Sequence, residues 1–422
     1  MIFLVLALYM LGVLAYVWFS FGLTDPNLLF SQWPPFVTWQ TAQSNLFFAN
    51  HSLTTNWYVG ILVYLFLGYL ILVKLTAGNS SLGQWWTKQS LGLKIGLIAL
   101  FLLPYCLANN ALSHDIYNYI FNAKMVLIYQ ANPHLAVAQN FSHDLWLRFM
   151  HNVHTPAPYG YGWTFLSLIP AILAGKTFLG QWLTFKLFSL LSIGLSFWAL
   201  NSIKLSEKKQ PLSVSETILL FLNPMVGIEL LGNGHNDWWM MGLALWSVWA
   251  ALQAQKLKFF STTWIKYAGL SLILLAISIS IKFASVVLLP LIGLFLSWSL
   301  FANSKFLSFL NFKWILSYWP QLSAGLFFIT LLTDRSKRFL PWYWSWVLVF
   351  IVFIPQWWLR CLIICFSIGA LTRYLPWLWQ GEYSVLVEER QLLITWGVSI
   401  GLFILAILCK VGWDHIRQRK NK

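Results

Sequence analysis

Long apolar runs separated by short polar connections dominate this chain and predict membrane-spanning helices. A helix needs about 20 predominantly apolar residues to cross the hydrocarbon core of a bilayer. Several of the candidate segments are shorter than that, but all repeat the same pattern. They are residues 3–22, 57–75, 94–109, 161–175, 178–202, 214–231, 238–255, 266–281, 283–300, 315–333, 341–357, 358–372 and 391–410. The pattern predicts an all-α integral membrane protein with about 12–13 membrane segments and one long outward-facing loop that carries short surface helices.

Segment 161–175 is expected to differ from the others, because it is short and contains Pro170. We predict that it enters and leaves the membrane on the same side. Such a segment is tolerated only where protein or water-filled space surrounds it. Residues 1–22 are as long as a full span, and they lack a basic leader and a small-residue cleavage site, so a retained first helix is expected there.

Composition supports a bilayer as the solvent for much of the surface. The 422 residues are 59% hydrophobic and 9% charged, whereas a soluble protein carries about 25% charged residues. No linker or internal repeat interrupts the sequence. We therefore expect residues 1–422 to form a single polytopic domain, within which residues 110–160 form an extracytoplasmic catalytic loop.

The basic residues predict the orientation, since cytoplasmic loops carry an excess of Lys and Arg. The tail 410–422 is rich in both and is expected to be cytoplasmic. Working back from it, the inner connections are 76–93, 203–213, 256–265 and 301–314, and the long loops 23–56 and 110–160 face outward. Most of the net charge of +15 comes from this excess of Lys and Arg in the inner connections and the tail. Nucleic acid is not an expected partner, because the charge is spread over loops rather than gathered on one fold.

The outward-facing loop 110–160 holds the first group of chemically competent residues. Asp115 follows His114 near the start of a predicted short surface helix, 116–130. One interpretation is an N-cap that only accepts backbone N–H bonds. The other is a general base whose pKa rises in a partly dry site, with His114 tuning it or binding substrate.

The same loop holds five of the eight histidines of the chain: His114, His134, His143, His151 and His154. His151 and His154 have the i,i+3 spacing of two ligands on one helical face. Histidines in a polar loop also occur as ordinary surface residues. A divalent metal therefore remains possible, but no ligand set is assigned.

A second polar group lies between two apolar spans on the same predicted side. It contains Asn233, Gly234, His235, Asn236 and Asp237. A plain capped turn needs only Gly and Asn, whereas ionisable groups between membrane spans are costly unless they face a cavity. Both a substrate site and a capped turn stay open.

Charges within or beside apolar runs form the third group. Lys282 interrupts a run from residue 270 to residue 300. It either snorkels at a helix boundary or faces a phosphate or a carboxylate, with Glu229 as a possible partner. The cluster of Arg335, Lys337 and Arg338 lies on the predicted outer side. Either the topology there is wrong by one crossing, or the cluster binds a lipid phosphate, whose oxygens suit guanidinium groups.

In this order, these residues resemble a known family. The segments that carry the resemblance are Ser113-His114-Asp115-Ile116-Tyr117-Asn118-Tyr119, Asn132-Pro133, Thr155-Pro156-Ala157-Pro158-Tyr159-Gly160, Asn223-Pro224, the stretch 231–237, Lys282 with the apolar run to Pro290, and Pro341-Trp342-Tyr343. Together they resemble the bacterial polyprenyl-phosphomannose-dependent α-1,6-mannosyltransferases of the GT-C superfamily. Each motif alone is weak, but their shared order along the chain is fairly specific.

The resemblance implies a polyprenyl-phosphate sugar donor, an active site outside the cytoplasm, a glycan or glycolipid acceptor and an inverting transfer. It implies that Asp115 is the acidic catalytic residue of the first long loop. It further implies substrate-binding roles for His114, Tyr117, Tyr159, Asn233, His235, Asn236, Asp237, Trp342 and Tyr343, and donor-phosphate contacts for Lys282, Arg335, Lys337 and Arg338. No redox cofactor or nucleotide site is implied. The sequence departs from the family at His114, where Arg or another residue is expected, and at Tyr161-Gly162, which replaces Pro-Leu.

Two other classes of protein share some of these features. A polytopic transporter or lipid flippase would explain the spans and the buried charges. It would not explain two polar groups on one face, and transporters often show inverted repeats, which are not found here. A structural scaffold gives no reason for Lys282 or Asp237 to lie among apolar spans.

Overall fold

A computed structural model describes residues 1–25, 27–78, 81–301, 317–333 and 339–420. These residues form helices joined by loops and contain no β-strand. The longer helices are α1 (Ile2–Gly22), α2 (Pro34–Phe47), α3 (His51–Thr76), α4 (Ser81–Lys88), α5 (Leu91–Leu102), α6 (Asp115–Leu127), α7 (Tyr161–Leu173), α8 (Phe178–Lys208), α9 (Val214–Phe221), α10 (Asp237–Gln255), α11 (Thr262–Ile281), α12 (Leu289–Phe301), α13 (Trp319–Leu331), α14 (Ser345–Leu348), α15 (Trp357–Thr372), α16 (Leu375–Gln380) and α17 (Val385–Lys420). The predicted all-α membrane class is confirmed.

Within the described residues, six helices are long and apolar enough to cross a membrane. They are Ile2–Gly22, His51–Thr76, Phe178–Lys208, Thr262–Ile281, Trp357–Gln380 and Val385–Arg417. A seventh crossing results if α9 and the π-helix Val226–Gly232, which are bent by 58° at their junction, form one broken span. Other apolar segments are shorter helices, at Leu91–Leu107, Tyr161–Leu173, Phe283–Trp298 and Pro341–Val352. Several predicted spans are therefore shorter helices than a full crossing requires.

Two of the predicted inner connections, 203–213 and 256–265, meet at one end of the helix bundle, whereas 302–314 of the fourth connection lie outside the described residues. Lys204, near the end of α8, forms an ion pair with Glu216 in the first turn of α9. Lys256, at the end of α10, donates to the backbone oxygen of Ser206 over 3.1 Å. Because α10 begins at Asp237 and rises about 28 Å over its length, this end lies far from the polar turn 233–236.

Helix α7 corresponds to the segment expected to be a half-span. Its 13 residues extend about 20 Å, less than the hydrocarbon core of a bilayer. At its start, the Gly160 amide donates to the Ile281 carbonyl at the end of α11 over 3.1 Å. At its end, the Gln181 side chain, near the start of α8, donates to the Ala171 carbonyl over 2.8 Å. Both ends of α7 thus adjoin helix ends on the side of loop 110–160, as the half-span prediction requires.

Loop 110–160 is built around a buried helix rather than a surface helix. Helix α6 begins at Asp115, and nine of its side chains are buried. The rest of the loop is held to it by Asp144, which pairs with Lys124 at 2.5 Å and accepts a hydrogen bond from Tyr129 over 2.8 Å. The prediction of a helix here is confirmed, but its surface position is wrong, because α6 packs against α7 and α8.

Candidate active site

The centre of the candidate site is a turn that follows the broken helix pair. Helix α9 ends before Asn223-Pro224. Proline has no backbone N–H group, so it cannot donate the hydrogen bond that would continue the helix. After the short π-helix, Gly234 adopts φ +73°, a conformation that favours glycine. A β-carbon on Gly234 would lie 2.8 Å from the side chain of Ile116. The turn 233–236 is therefore seated directly against α6.

This seating brings Asp115 and His235 together. The Asp115 Oδ2 atom lies 3.3 Å from the His235 Nδ1 atom. His235 is fully buried, whereas the Asp115 side chain retains 18% of its exposure. The N-cap position of α6 is His114, so the interpretation of Asp115 as an N-cap is wrong. Asp115 instead offers a carboxylate edge at the boundary of the protein.

The charge state of this pair differs from the expectation. Burial raises the pKa of Asp115, but hydrogen bonding and charge from His235, together with the charge of Lys282, outweigh burial and hold that pKa below its ordinary value. Burial lowers the pKa of His235, but Asp115 and Glu229 reverse that effect and raise it. The expected upward shift of the Asp115 pKa is therefore wrong. The pair consists of a carboxylate beside a ring that favours its protonated form.

Glu229 contacts the opposite side of the His235 ring. Its Oε2 atom lies 3.5 Å from His235 Nε2, and both side chains are fully buried. The same oxygen accepts hydrogen bonds from Asn233 over 3.0 Å and from the Tyr374 hydroxyl over 3.2 Å. The predicted pairing of Glu229 with Lys282 is wrong, since the Glu229 carboxylate is occupied by the turn that follows it and by Tyr374.

Lys282 pairs with Asp237 instead. Its ammonium group lies 2.8 and 2.9 Å from the two carboxylate oxygens, and the Trp346 indole donates to Oδ1 over 2.6 Å. Asp237 is fully buried, whereas Lys282 retains 15% of its side-chain exposure. The ammonium group also lies 5.4 Å from the centre of the Tyr343 ring. Lys282 is thus fixed at the surface of the cluster, with one side still open.

The aromatic segment forms one wall of the cluster. Trp342, in the 3₁₀ helix Pro341–Trp344, stacks on His235 with ring centres 3.8 Å apart. Tyr343 stacks on Trp346 at 4.5 Å. Trp342 and Tyr343 remain partly exposed, so their rings border the open side next to Asp115 and Lys282.

Tyr159 also joins the cluster, whereas two other predicted substrate-binding residues do not. The Tyr159 hydroxyl hydrogen-bonds to Asp115, and its ring packs on Tyr119 at 4.8 Å. Tyr117 is buried, and its hydroxyl donates to Asn109 over 3.3 Å. Asn233 bonds to Glu229 and is fully buried. Tyr117 therefore belongs to the core, and Asn233 supports the site from behind.

His114 is adjacent to Asp115 in sequence but faces a different neighbour. Its Nδ1 atom contacts the Phe149 carbonyl at 2.9 Å, and its ring stacks on His151 at 3.7 Å. Burial and the neighbouring His151 lower the pKa of His114 to about 4. The ring is therefore neutral near pH 7, and it packs beside Asp115 rather than pairing with it.

Asn236 stands out among the buried polar residues. It is fully buried, and both atoms of its side-chain amide lack a hydrogen-bond partner among the described residues. A buried amide without a partner is costly, which favours a bound polar group at this position. The predicted phosphate cluster of Arg335, Lys337 and Arg338 lies outside the described residues.

Metal ligands are not gathered anywhere in the described part of the chain. No group of three His, Cys, Asp or Glu side chains there could hold an ion. The loop histidines are dispersed: His114 stacks on His151, and His134 bonds to Thr164 at 2.8 Å. A divalent metal has no donor set in this region.

Lys186 is a buried residue that sequence analysis missed. It lies within the span α8, is fully buried, and donates to the carbonyls of Ala108 over 3.0 Å and Leu231 over 2.9 Å. It also donates to the Gly232 carbonyl. These bonds hold the end of the π-helix from which the turn 233–236 departs. A lysine inside the predicted span 178–202 was the available signal, because charges in spans are rare and usually functional.

An apolar groove opens beside the site rather than at it. It has a volume of about 360 Å³, lies between α5, α7 and α8, and none of its lining residues belongs to the polar cluster. Phe188 lines the groove and stacks on Trp239, two residues after Asp237, with ring centres 4.3 Å apart. One aromatic pair therefore connects the groove to the first turn of α10.

One comparison with known proteins identifies a family for most of the chain. The family model described as alpha-(1->6)-mannopyranosyltransferase, N-terminal domain, matches residues 8–298. This stretch includes Asp115, the turn 233–236, Asp237 and Lys282, whereas the segment that contributes Trp342 lies beyond it. No curated protein and no solved structure matches the chain significantly.

Proposed function

Because the chain belongs to the alpha-(1->6)-mannopyranosyltransferase family, we propose that it transfers mannose from a polyprenyl-phosphate-linked donor to a hydroxyl of a glycan or glycolipid. In this proposal the enzyme is of the GT-C type, and the transfer inverts the anomeric centre. The lysine-rich end of the bundle and the tail 410–422 face the cytoplasm, and the Asp115 cluster faces outward.

One observation supports this proposal above the others. Asp115 holds a carboxylate at the protein boundary, 18% exposed and 3.3 Å from a fully buried histidine. A general base must reach the substrate hydroxyl in its deprotonated form. The lowered pKa of Asp115 keeps the carboxylate ionised near neutral pH, and its exposed edge leaves room for an acceptor.

The proposed reaction is a single displacement. Asp115 accepts the proton of the acceptor hydroxyl while that oxygen attacks the anomeric carbon of the donor sugar. The bond from this carbon to the phosphate oxygen breaks, and the lipid phosphate leaves with the electron pair. Attack from the face opposite the phosphate inverts the configuration, and the proton on Asp115 then passes to solvent.

The leaving phosphate gains negative charge, so a cation near it lowers the barrier. Lys282 is proposed for this role, because its ammonium group is fixed by Asp237 yet remains 15% exposed. Arg335, Lys337 and Arg338 are proposed as further phosphate contacts.

The remaining residues are proposed to bind the sugars. Asn236 has an unpartnered buried amide that suits a sugar hydroxyl or an ordered water. Trp342 and Tyr343 present partly exposed rings, which suit the apolar face of a hexose or the isoprenoid chain. Tyr159 is placed to orient the Asp115 carboxylate. The phosphate-linked donor is already activated, so no nucleotide or redox cofactor enters the reaction.

We predict that Asp115→Asn abolishes detectable transfer. The amide is nearly isosteric but cannot accept the hydroxyl proton, and a positioned general base contributes about 10²–10⁴-fold to the rate. The measurement is mannosyl transfer by the purified full-length protein, with polyprenyl-phosphomannose as donor and a mannoside as acceptor.

The matched control is Asp25→Asn in the other long outer loop, where the Asp25 carboxylate accepts hydrogen bonds from the neighbouring Asn27. This control should transfer at the wild-type rate. Near-normal turnover by a folded Asp115→Asn protein would remove Asp115 from the reaction.

A further inference from the structure

His235 lies between the carboxylates of Asp115 and Glu229. Its Nδ1 atom faces Asp115 at 3.3 Å, and its Nε2 atom faces Glu229 at 3.5 Å. Trp342 covers one face of the ring, and the ring is fully buried. Asp115 is the member of this row with measurable exposure.

We propose that Glu229 is a positioning residue that holds His235 as an imidazolium, which in turn orients Asp115 and keeps it in the proton-accepting form. This inference rests on the proposed function and deepens it. It assigns His235 to the base rather than to the sugar, and it gives Glu229 a role at a distance from the substrate.

The hydrogen-bonding capacity of imidazole supports this assignment. A neutral ring carries one N–H donor, whereas a protonated ring carries two. A carboxylate stands at ion-pair distance from each of the two ring nitrogens, so both carboxylates favour the protonated, positively charged ring. Removing the positive charge would leave a buried, fully enclosed Glu229 carboxylate without its imidazolium partner, which is strongly unfavourable.

His235 lies at ion-pair distance from Glu229, and the buried Arg373 is a second cation on the segment that carries Tyr374. Glu229 otherwise contacts Asn233 and the neutral hydroxyl of Tyr374, with the buried tyrosines Tyr16 and Tyr58 nearby. Lys282 is engaged by Asp237, and Lys186 by three carbonyls.

Several charged and polar groups besides His235 interact with the Asp115 carboxylate. Lys282 acts on it as a second cation, and the Tyr159 hydroxyl bonds to it. His114 and His151 also interact with its charge. Loss of His235 charge alone should therefore raise the pKa of Asp115 but leave the base functional.

The test is the pH dependence of kcat/KM in the full-length enzyme. The acid limb of this profile reports the free enzyme's base. Glu229→Gln keeps the shape of the side chain but removes its charge, so His235 loses its proton more readily and Asp115 loses its cationic neighbour. We expect the midpoint of the acid limb to move to higher pH by about one unit, because a close opposite charge shifts a carboxyl pKa by about 1–3 units.

A double-mutant cycle separates action through His235 from general damage. His235→Gln alone should move the acid limb in the same direction as Glu229→Gln, and the double variant should move it little further. Glu216→Gln is the matched control: it removes another carboxylate from the same broken helix pair, at the distant end, and should leave the midpoint unchanged. If Glu229→Gln does not accumulate, His235→Gln and Tyr374→Phe provide the same readout.

The outcomes distinguish the two proposals. An unchanged acid limb in Glu229→Gln, with only a lower plateau, would make Glu229 a structural residue and overturn this inference. Additive shifts in the double variant would show that Glu229 does not act through His235. Normal turnover of Asp115→Asn would instead refute the proposed function itself.

Discussion

At the residue scale, the contact between Lys282 and Asp237 shows what sequence reasoning could and could not reach. Both residues were identified because charges beside apolar spans are costly. The partner of Lys282 was misassigned to Glu229, because the sequence does not reveal which face of a broken helix an acid occupies. Asp237 begins α10 and faces the end of α11, whereas Glu229 lies inside the π-helix.

Lys282→Met is predicted to raise the KM for the lipid donor at least several-fold, with a smaller effect on the acceptor. The substitution removes the cation proposed for the phosphate and also leaves Asp237 buried without its partner, which costs about 3–5 kcal/mol. Steady-state kinetics with each substrate varied in turn measures the first effect, and thermal melting measures the second.

The double variant Lys282→Met/Asp237→Asn separates these effects. Neutralising both groups should recover much of the lost thermal stability, because no unpaired charge remains, but it should not restore the donor KM. Unchanged donor kinetics in the single variant would exclude Lys282 from the phosphate site.

Tyr117 shows why a residue near a base in sequence can lie outside the site. Asp115 and Tyr117 are two positions apart on one helix, and such residues do not share a helical face. Tyr117 consequently points into the aromatic core, with its ring centre 5.5 Å from that of Phe149. The motif predicted the helix and its first residue but not which side chains face the substrate.

At the scale of elements, α6 and α7 were both predicted, but the burial of α6 was not. Its Asn118 and Asn122 give it a polar appearance, yet both are buried. Polar residues on a helix beneath a membrane-surface site resemble those on a solvated helix when only the sequence is read. The short length of α7 was easier to predict, because Pro170 and the following connection limit the helix.

Gly160 and Gly162 explain the departure of this sequence from the resembled motif. A β-carbon at either position would overlap the atoms of Ser280. The two glycines let the start of α7 lie against the end of α11, immediately before Lys282. The second glycine therefore reflects packing between two helices and does not bear on the reaction class.

Lys186→Met is predicted to lower the melting temperature and to impair transfer. The end of the π-helix would lose charge-assisted hydrogen bonds to Leu231 and Gly232, and hydrogen bonds to charged groups contribute about 1.5–3 kcal/mol each. Transfer should fall because the turn 233–236 departs from these carbonyls. Melting in detergent and single-point transfer rates provide the readouts.

Lys176→Met is the matched control for this experiment. Lys176 is exposed in the connection between α7 and α8, and its replacement should change neither property. Equal stability of the Lys186 and Lys176 variants would show that the π-helix does not depend on the buried ammonium group.

At the scale of the whole molecule, membrane class and helical content could be predicted from composition, but complete crossings could not be counted. Segment 94–109 reads as one apolar run, yet α5 ends at Leu102 and continues as the 3₁₀ helix Leu103–Leu107. Apolar side chains are compatible with the lipid hydrocarbon whether the backbone is an α-helix or a 3₁₀ helix. Hydropathy therefore locates the runs without revealing where a helix tightens, bends or stops.

The proposed orientation predicts opposite labelling of the two ends of the bundle. Both test positions, Asn152 in the outer loop and Lys209 after α8, are exposed. Single cysteines are placed there in a chain whose exposed Cys409 is replaced by Ser. A membrane-impermeant maleimide should label position 152 in intact cells, and position 209 only after permeabilisation. The reverse pattern would place the Asp115 cluster in the cytoplasm.

The stretch matched by the family ends at residue 298, yet the cluster takes the Trp346 indole, the Trp342 ring and the Tyr374 hydroxyl from beyond it. During synthesis, Asp237 and His235 therefore enter the bilayer before the groups that enclose them have left the ribosome. A truncated product ending near residue 298 would carry Asp115 but leave the charges behind it exposed to lipid or water. Assembly of the complete cluster must therefore wait for the last third of the polypeptide.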